Sequence, residues 1–188
     1  MNDSEIRNVL LLDLGKSHGN DTKIVNELGI CQGVARIDIA MINGSLSGFE
    51  IKSEKDTLSR LPRQISFYNK VFDFITIVTT DTHLAGVRQL IPHWWGISVA
   101  AKENEVIKIT TLKECDLNEN VDIFSLSQLL WRDEALELLS HHGIDRGLRN
   151  KPRAILWKQI SASFPYEEVS RFVRHRLKTR EARISDRQ

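Results

Sequence analysis

The sequence predicts an α/β fold: a central mixed β-sheet flanked by helices, with a helical C-terminal extension. Three observations predict it. Segments alternating with period 2, "ARIDIAMI" and "LSGFEIK", precede a segment of helical period. The almost continuously apolar "FITIVTT" reads as a strand buried on both faces. Beyond about residue 120 only helical spacing remains, which suggests an α/β core over 1–120 and an appended, basic helical region over 121–188 packed on it.

Each element has its own signal. "DSEIRNVLLLDLGKSHG" reads as a helix that Asp3 or Ser4 can cap, with Ile6, Leu10 and Leu11 on one face. "TKIVNELGI" is a short extended segment, although a helical reading is possible. "ARIDIAMI" and "LSGFEIK" flank "NGS" as a hairpin. From Ser59 the period becomes 3.6, with Leu61, Ile65, Tyr68 and Phe72 on one face and Pro62 early enough for a first turn. "HLAGVRQLI" reads as a helix stopping before Pro92, and "WWGISVAAKE" and "VIKITTL" as a final strand pair. "SLSQLLWRDEALELLSHHG", "PRAILWKQISASF" and "PYEEVSRFVRHRLKTREARI" complete the chain as helices, with "ISDRQ" expected to fray.

Composition excludes several classes. The 188 residues are 41% hydrophobic and 27% charged, an ordinary globular balance. No run approaches the ~20 apolar residues of a membrane span, and "MNDSEIRN" lacks a signal-peptide layout. Cys31 and Cys115 lie far apart, which suits a reduced, cytoplasmic chain. The net charge of +1 conceals an asymmetry: residues 141–188 hold 12 Lys/Arg against 5 Asp/Glu, and residues 1–140 hold 14 against 20. A basic C-terminal third points to a polyanion, nucleic acid first; the alternative is a solvated helical surface.

Asp38, Glu50 and Lys52 are charges set into what otherwise reads as sheet interior. Glu50 and Lys52, two apart, share a strand face, and Asp38 points opposite to Ile37 and Ile39. With a three-residue loop, Asn43-Gly44-Ser45, cross-strand pairs sum to 88 and Asp38 faces Glu50, Cβ atoms about 5 Å apart. A two-residue loop would put the carboxylates on opposite faces, so the chemistry predicts the longer one. Two close carboxylates repel unless a hard cation such as Mg²⁺ or Mn²⁺ joins them. Lys52 can then stabilise developing charge on a phosphate, and Glu27 is a plausible further ligand. The alternative is an inter-strand ion pair. Gln64 and Tyr68 share a helical stripe with Arg60 and could face the same site.

These residues resemble a PD-(D/E)XK nuclease of the restriction-endonuclease-like superfamily: Glu27, Asp38, "EIK" at 50–52 and "QISFY" at 64–68. The last is similar to the Gln-x-x-x-Tyr element of RecB-type nuclease domains. A longer stretch, from "ELGICQGVARIDIAMINGS" to "FITIVTT", resembles a small bacterial group within that superfamily, as do "IPHWWGI" and "LWRDEALELL". The resemblance implies a mixed sheet of about four strands, metal held by Asp38 and Glu50, Lys52 as catalytic lysine, Glu27 as the acid ahead of the hairpin, and Gln64 and Tyr68 as accessory catalytic residues. The expected activity is metal-dependent hydrolysis of DNA phosphodiester bonds; the alternative is a catalytically silent nucleic-acid-binding or protein-interaction module of the same fold.

Weaker features accompany this set. Lys55 could touch a phosphate, and so could Ser53. Trp94-Trp95 could stack on bases or pack in the core. Arg171, Arg174, Lys178 and Arg180 recur at helical spacing and are the expected backbone contacts to DNA. Small nucleases that cut both strands often pair, so a homodimer or another protein partner is compatible with the sequence.

Overall fold

In the computed structural model, which describes residues 1–17, 19 and 21–180, six strands form one open sheet in sequence order. They are β1 (Lys23–Ile30), β2 (Ala35–Ile42), β3 (Leu46–Lys52), β4 (Phe74–Thr79), β5 (Gly96–Glu103) and β6 (Val106–Lys113). The first three form an antiparallel meander, β3, β4 and β5 are parallel, and β6 returns antiparallel on β5. Parallel neighbours need a crossover. Helix α2 (Leu61–Tyr68) lies in the first and α3 (Asp81–Leu90) in the second.

Helices cover both faces unequally. On one face α1 (Asp3–Ser17) lies alone, burying Ile6, Leu10 and Leu14 against Ile39, Met41, Ile51 and Val78. The other face carries α2, α3 and four later helices: α4 (Ile123–Ser127), α5 (Arg132–His141), α6 (Arg153–Ser163) and α7 (Tyr166–Thr179). Their side chains, among them Leu61, Val87, Leu138, Trp157 and Val173, join Ile77 and Trp95 in one continuous cluster. The C-terminal helices and the sheet therefore share a core. A buried Leu- or Val-sized side chain contributes about 1.5–3 kcal/mol, so this face holds most of the hydrophobic stabilisation.

The hairpin has the three-residue loop. Ile42 pairs with Leu46, Met41 with Ser47, Ala40 with Gly48 and Ile39 with Phe49. Asn43 fixes the turn: its side-chain oxygen accepts from the Ser45 amide at 3.0 Å. β4 is buried along nearly its whole length, as its composition demands.

Two local readings are corrected. The α1 cap is Asn2, one residue earlier than expected. Its Oδ1 accepts from the Glu5 amide at 3.0 Å while Glu5 Oε2 accepts from the Asn2 amide at 2.8 Å, a reciprocal capping box. The segment read as one helix from Ser125 to Gly143 is two, α4 and α5. The break is held from two sides: Trp157 Nε1 of α6 donates to the Leu130 carbonyl at 3.1 Å, and within α5 Glu134 Oε2 accepts from the Trp131 amide at 2.7 Å. Of the two roles open to the tryptophan pair, packing holds for Trp95, which is fully buried, stacked on Tyr68 at 6.2 Å and donating to Asn69 Oδ1. It cannot stack on a base. The expected fraying of "ISDRQ" lies outside the described residues. Among those described, no helix is long and apolar enough to cross a membrane.

Candidate active site

The site begins as an irregularity shared by two strands. In β1 the side chains facing the larger core are Val25, then Leu28 and Ile30; in β2 they are Ala35 and Ile37, then Ala40 and Ile42. A strand repeats every two residues, yet 25 to 28 and 37 to 40 are steps of three. The β1–β2 register is the same on both sides, with Asn26 opposite Ile39 and Leu28 opposite Ile37. One residue is therefore extra in each strand, and the two extra residues, Glu27 and Asp38, face each other. Glu27 takes a left-handed backbone, φ +56°, which is strained for a residue other than glycine. The expectation that Ile37 and Ile39 share a face is thereby corrected: they fall in different clusters.

The break re-aims Asp38. The β2–β3 ladder stops at Ile39–Phe49, one pair short of Asp38–Glu50. Beyond it, Asp38 Oδ2 accepts from the Ile51 amide at 2.7 Å, so the side chain replaces a backbone acceptor. Its other oxygen accepts from Arg7 Nη2 of α1 at 2.8 Å. Arg7 also donates to the Asp38 carbonyl at 2.9 Å and pairs with Glu27 Oε1 at 2.9 Å and Asp3 at 3.1 Å. The second Glu27 oxygen lies 3.2 Å from Arg36 Nε.

Glu50 and Lys52 alternate with Phe49 and Ile51, as a regular strand requires, and lie under α2 with 2% and 4% exposure. Lys52 Nζ is 2.5 Å from Glu50 Oε1 and donates to Gln64 Oε1 at 3.1 Å. Gln64 Nε2 donates to Glu50 Oε1 at 2.6 Å and to the Tyr68 hydroxyl at 3.1 Å. That hydroxyl lies 2.7 Å from Glu50 Oε2 and 2.6 Å from the Arg36 carbonyl, two acceptors for one proton. The i, i+4 stripe on α2 thus closes over Glu50: Gln64 presents its oxygen to the ammonium and its amide to the carboxylate.

Electrostatics follow from burial. Asp38 is pushed up to about 6, first by desolvation and then by the charge of Glu50; the Ile51 amide and Arg7 pull the other way. Burial and Glu50 together hold the Tyr68 phenol un-ionised far above its ordinary range. Asp56 is partly buried, which alone would raise it, but the hydroxyl and amide of Ser53 bring it below the ordinary value. Ser53 is buried and committed to that turn.

A cleft of about 490 Å³ opens over these groups. It brings together Glu27, Asp38, Glu50, Lys52, Gln64 and Arg60 from the sequence reading, and adds Arg7, Arg36 and Arg63. Lys55 is exposed and outside its lining. The α7 residues lie elsewhere. Arg174 is 3.8 Å from Asp73, whose carboxylate accepts from the Leu46 amide at the start of β3, and Lys178 pairs with Asp21 just before β1. Leu46 and Lys52 stand about 20 Å apart along the strand. Arg171 is exposed, and Arg180 is spent on Glu134 and the Trp131 ring. Arg7 gave no signal in the sequence, being a lone helical arginine 31 residues before Asp38.

Fold and site define an open mixed-sheet α/β protein with a buried lysine–carboxylate centre at a break between two strands. The chain belongs to the bacteriophage P4 protein cII family, which it matches over residues 1–187. Protein cII of Enterobacteria phage P4 is 28% identical over 125 residues, covering 66% of this chain and 47% of that protein. The chain thus spans about half the length of that relative. Among solved structures, the SPO1766 protein of unknown function from Silicibacter pomeroyi superposes with a TM-score of 0.44 at 14% identity, over 78% of this chain and 89% of that one.

Proposed function

We propose that the chain is a divalent-metal-dependent nuclease of the PD-(D/E)XK kind, hydrolysing DNA phosphodiester bonds in a cytoplasmic setting. One observation carries the reading: Asp38, Glu50 and Lys52 converge under Gln64 and Tyr68 at the floor of an arginine-walled cleft. A purely structural ion pair needs neither a left-handed Glu27 nor an acid set into the Ile51 amide position.

The donors suit Mg²⁺ or Mn²⁺. Among the described residues no three His, Cys, Asp or Glu side chains form a ready cage, but Mg²⁺ commonly takes only one or two carboxylates, with water and phosphate oxygens completing its shell. Asp38 and Glu50 would hold it. Burial first and the Glu50 charge second raise Asp38, and the repulsive part is what a dication relieves. When bound, the metal supplies a water of lowered pKa and neutralises phosphate charge. Lys52 contributes a cation beside the reacting phosphate, and Gln64 and Tyr68 fix Glu50 and Lys52 in place.

A second reading has its own support: both carboxylates already carry cationic partners, Arg7 on Asp38 and Lys52 on Glu50. On that reading the chain binds nucleic acid or protein without cutting. Incubation of a DNA and RNA panel with Mg²⁺ or Mn²⁺, beside EDTA, Asp38→Ala and Lys52→Ala controls, separates the two. Metal-dependent cleavage reduced at least about a hundredfold in both variants is expected. No cleavage by any form, with no Asp38-dependent Mn²⁺ binding by calorimetry, sinks the nuclease reading.

A further inference from the structure

The cationic groups around the cleft fall into two sets. Lys52 is buried at the floor and Arg7 is held by Asp3, Glu27 and Asp38. Arg36, Arg60 and Arg63 are exposed at the rim. Arg36 extends from β2 and shares only Glu27. Arg60 immediately precedes α2 and Arg63 lies one turn into it, so the two are neighbours on one helical edge. Among the described residues neither forms an ion pair within 4 Å, although Arg60 stands near enough to Asp56 to help lower its pKa. Arg63 rests over the Phe67 ring, 6.0 Å from its centroid, which orients the guanidinium without neutralising it.

We infer that this rim, and not the basic face of α7, is the surface that takes the phosphate backbone of a nucleic-acid strand. Arg60 and Arg63 need leave no ion-pair partner to meet a phosphate, whereas Arg174 and Lys178 would first have to leave Asp73 and Asp21, and Arg171, though exposed, stands outside the cleft. The rim also encloses the carboxylates; α7's cations sit by the opposite end of β3. A strand lying from Arg36 to Arg63 crosses directly over Asp38 and Glu50. The acids form the floor and the arginines the banks, so phosphates flanking the crossing point meet positive charge.

This deepens the proposed function in assuming a nucleic-acid ligand, but it does not require cleavage. Fluorescence anisotropy in EDTA, with single-stranded and duplex DNA and RNA oligonucleotides, reads it directly. The forms compared are the full chain, Arg60→Ala/Arg63→Ala, Arg36→Ala and Arg171→Ala/Lys178→Ala. Loss of two phosphate contacts makes the plot of log K against log salt shallower by about 1.8 on duplex or about 1.4 on single strands. That change is expected for the Arg60/Arg63 variant, with about tenfold weaker binding at moderate salt, and not for the α7 variant. Equal melting temperatures across the set separate lost contacts from lost folding. Weakening confined to the α7 variant, or binding unchanged in every variant, or no binding by the unmodified chain, overturns the inference. Rim-dependent binding without metal-dependent cutting leaves it standing and removes only the nuclease reading.

Discussion

Arg7 Nη2 lies 2.8 Å from Asp38 Oδ1, joining the first helix to the break in the second strand. The remaining α1 contacts to the sheet are largely apolar and could slide; this one is directional. It also puts a positive charge on the face of Asp38 turned away from β3, so both Asp38 oxygens are engaged.

Arg7→Met should therefore have two effects. Leaving a half-buried carboxylate without its cation is expected to cost about 1–3 kcal/mol in urea unfolding. Because Arg7 lowers the Asp38 pKa, its removal should carry that group above about 6, which carbon-detected NMR of the carboxyl would follow. An unchanged titration would show that the guanidinium and carboxylate are not coupled.

Stability should depend on pH through the same group. The folded-state value of about 6 exceeds the ordinary 3.8, so the native state binds the proton more tightly than the unfolded chain. The resulting stabilisation is complete below about pH 4 and is lost as pH rises through about 6, a difference on the order of 3 kcal/mol. Asp38→Asn should remove that slope between pH 4 and 7. Denaturation curves across that range for both proteins make the comparison.

Tyr68→Phe removes a hydroxyl placed between Glu50, the Arg36 carbonyl and Gln64. Glu50, deeply buried, would lose one of its donors, at an expected cost of about 1.5–3 kcal/mol. In the unmodified protein the Tyr68 phenol should give no phenolate absorbance on raising the pH to 11, since burial and Glu50 both oppose ionisation. A Tyr68 phenolate signal appearing near the free-tyrosine value would contradict the buried geometry.

Gly96 opens β5 beside the segment after β6. A Cβ there would meet Thr76 Oγ1 at 2.9 Å and the Cys115 backbone nitrogen at 3.1 Å. Backbone cannot swing aside as a side-chain tip can, so Gly96→Ala is expected to destabilise by about 1–3 kcal/mol, read as a lowered melting temperature. By contrast Gly44→Ala, with no atom within 4 Å of the added carbon, should stay within about 0.5 kcal/mol of the parent.

Much of this was legible locally. Strand β3 could be read from alternation, while the turn residues alone allowed two registers and the chemistry of Asp38 and Glu50 chose the three-residue loop that the structure has. The stripe Gln64–Tyr68 followed from helical spacing, which placed it over Glu50 once the crossover was assumed. What escaped depends on distant partners. Part of what holds the break at Leu130 is distant, the Trp157 hydrogen bond, although the Glu134 capping contact to the Trp131 amide is local. The α7 cations read as a free stripe because Asp73 and Asp21, which hold two of them, lie far earlier in the chain. The phase change at Asp38 was hidden because isoleucine stands on both sides, and either face of the sheet accepts isoleucine.

That phase change makes scaffold and site separable. Excising Glu27 and Asp38 together would leave Asn26 opposite Ile39 and Leu28 opposite Ile37 as consecutive pairs of an unbroken hairpin. The two acids are thus a removable insert in an otherwise regular meander, inserted once in each strand so that neither loses step with the other. A chain shortened by those two residues would keep the meander and the Glu50–Lys52 pair and lose only the two acids that Arg7 joins.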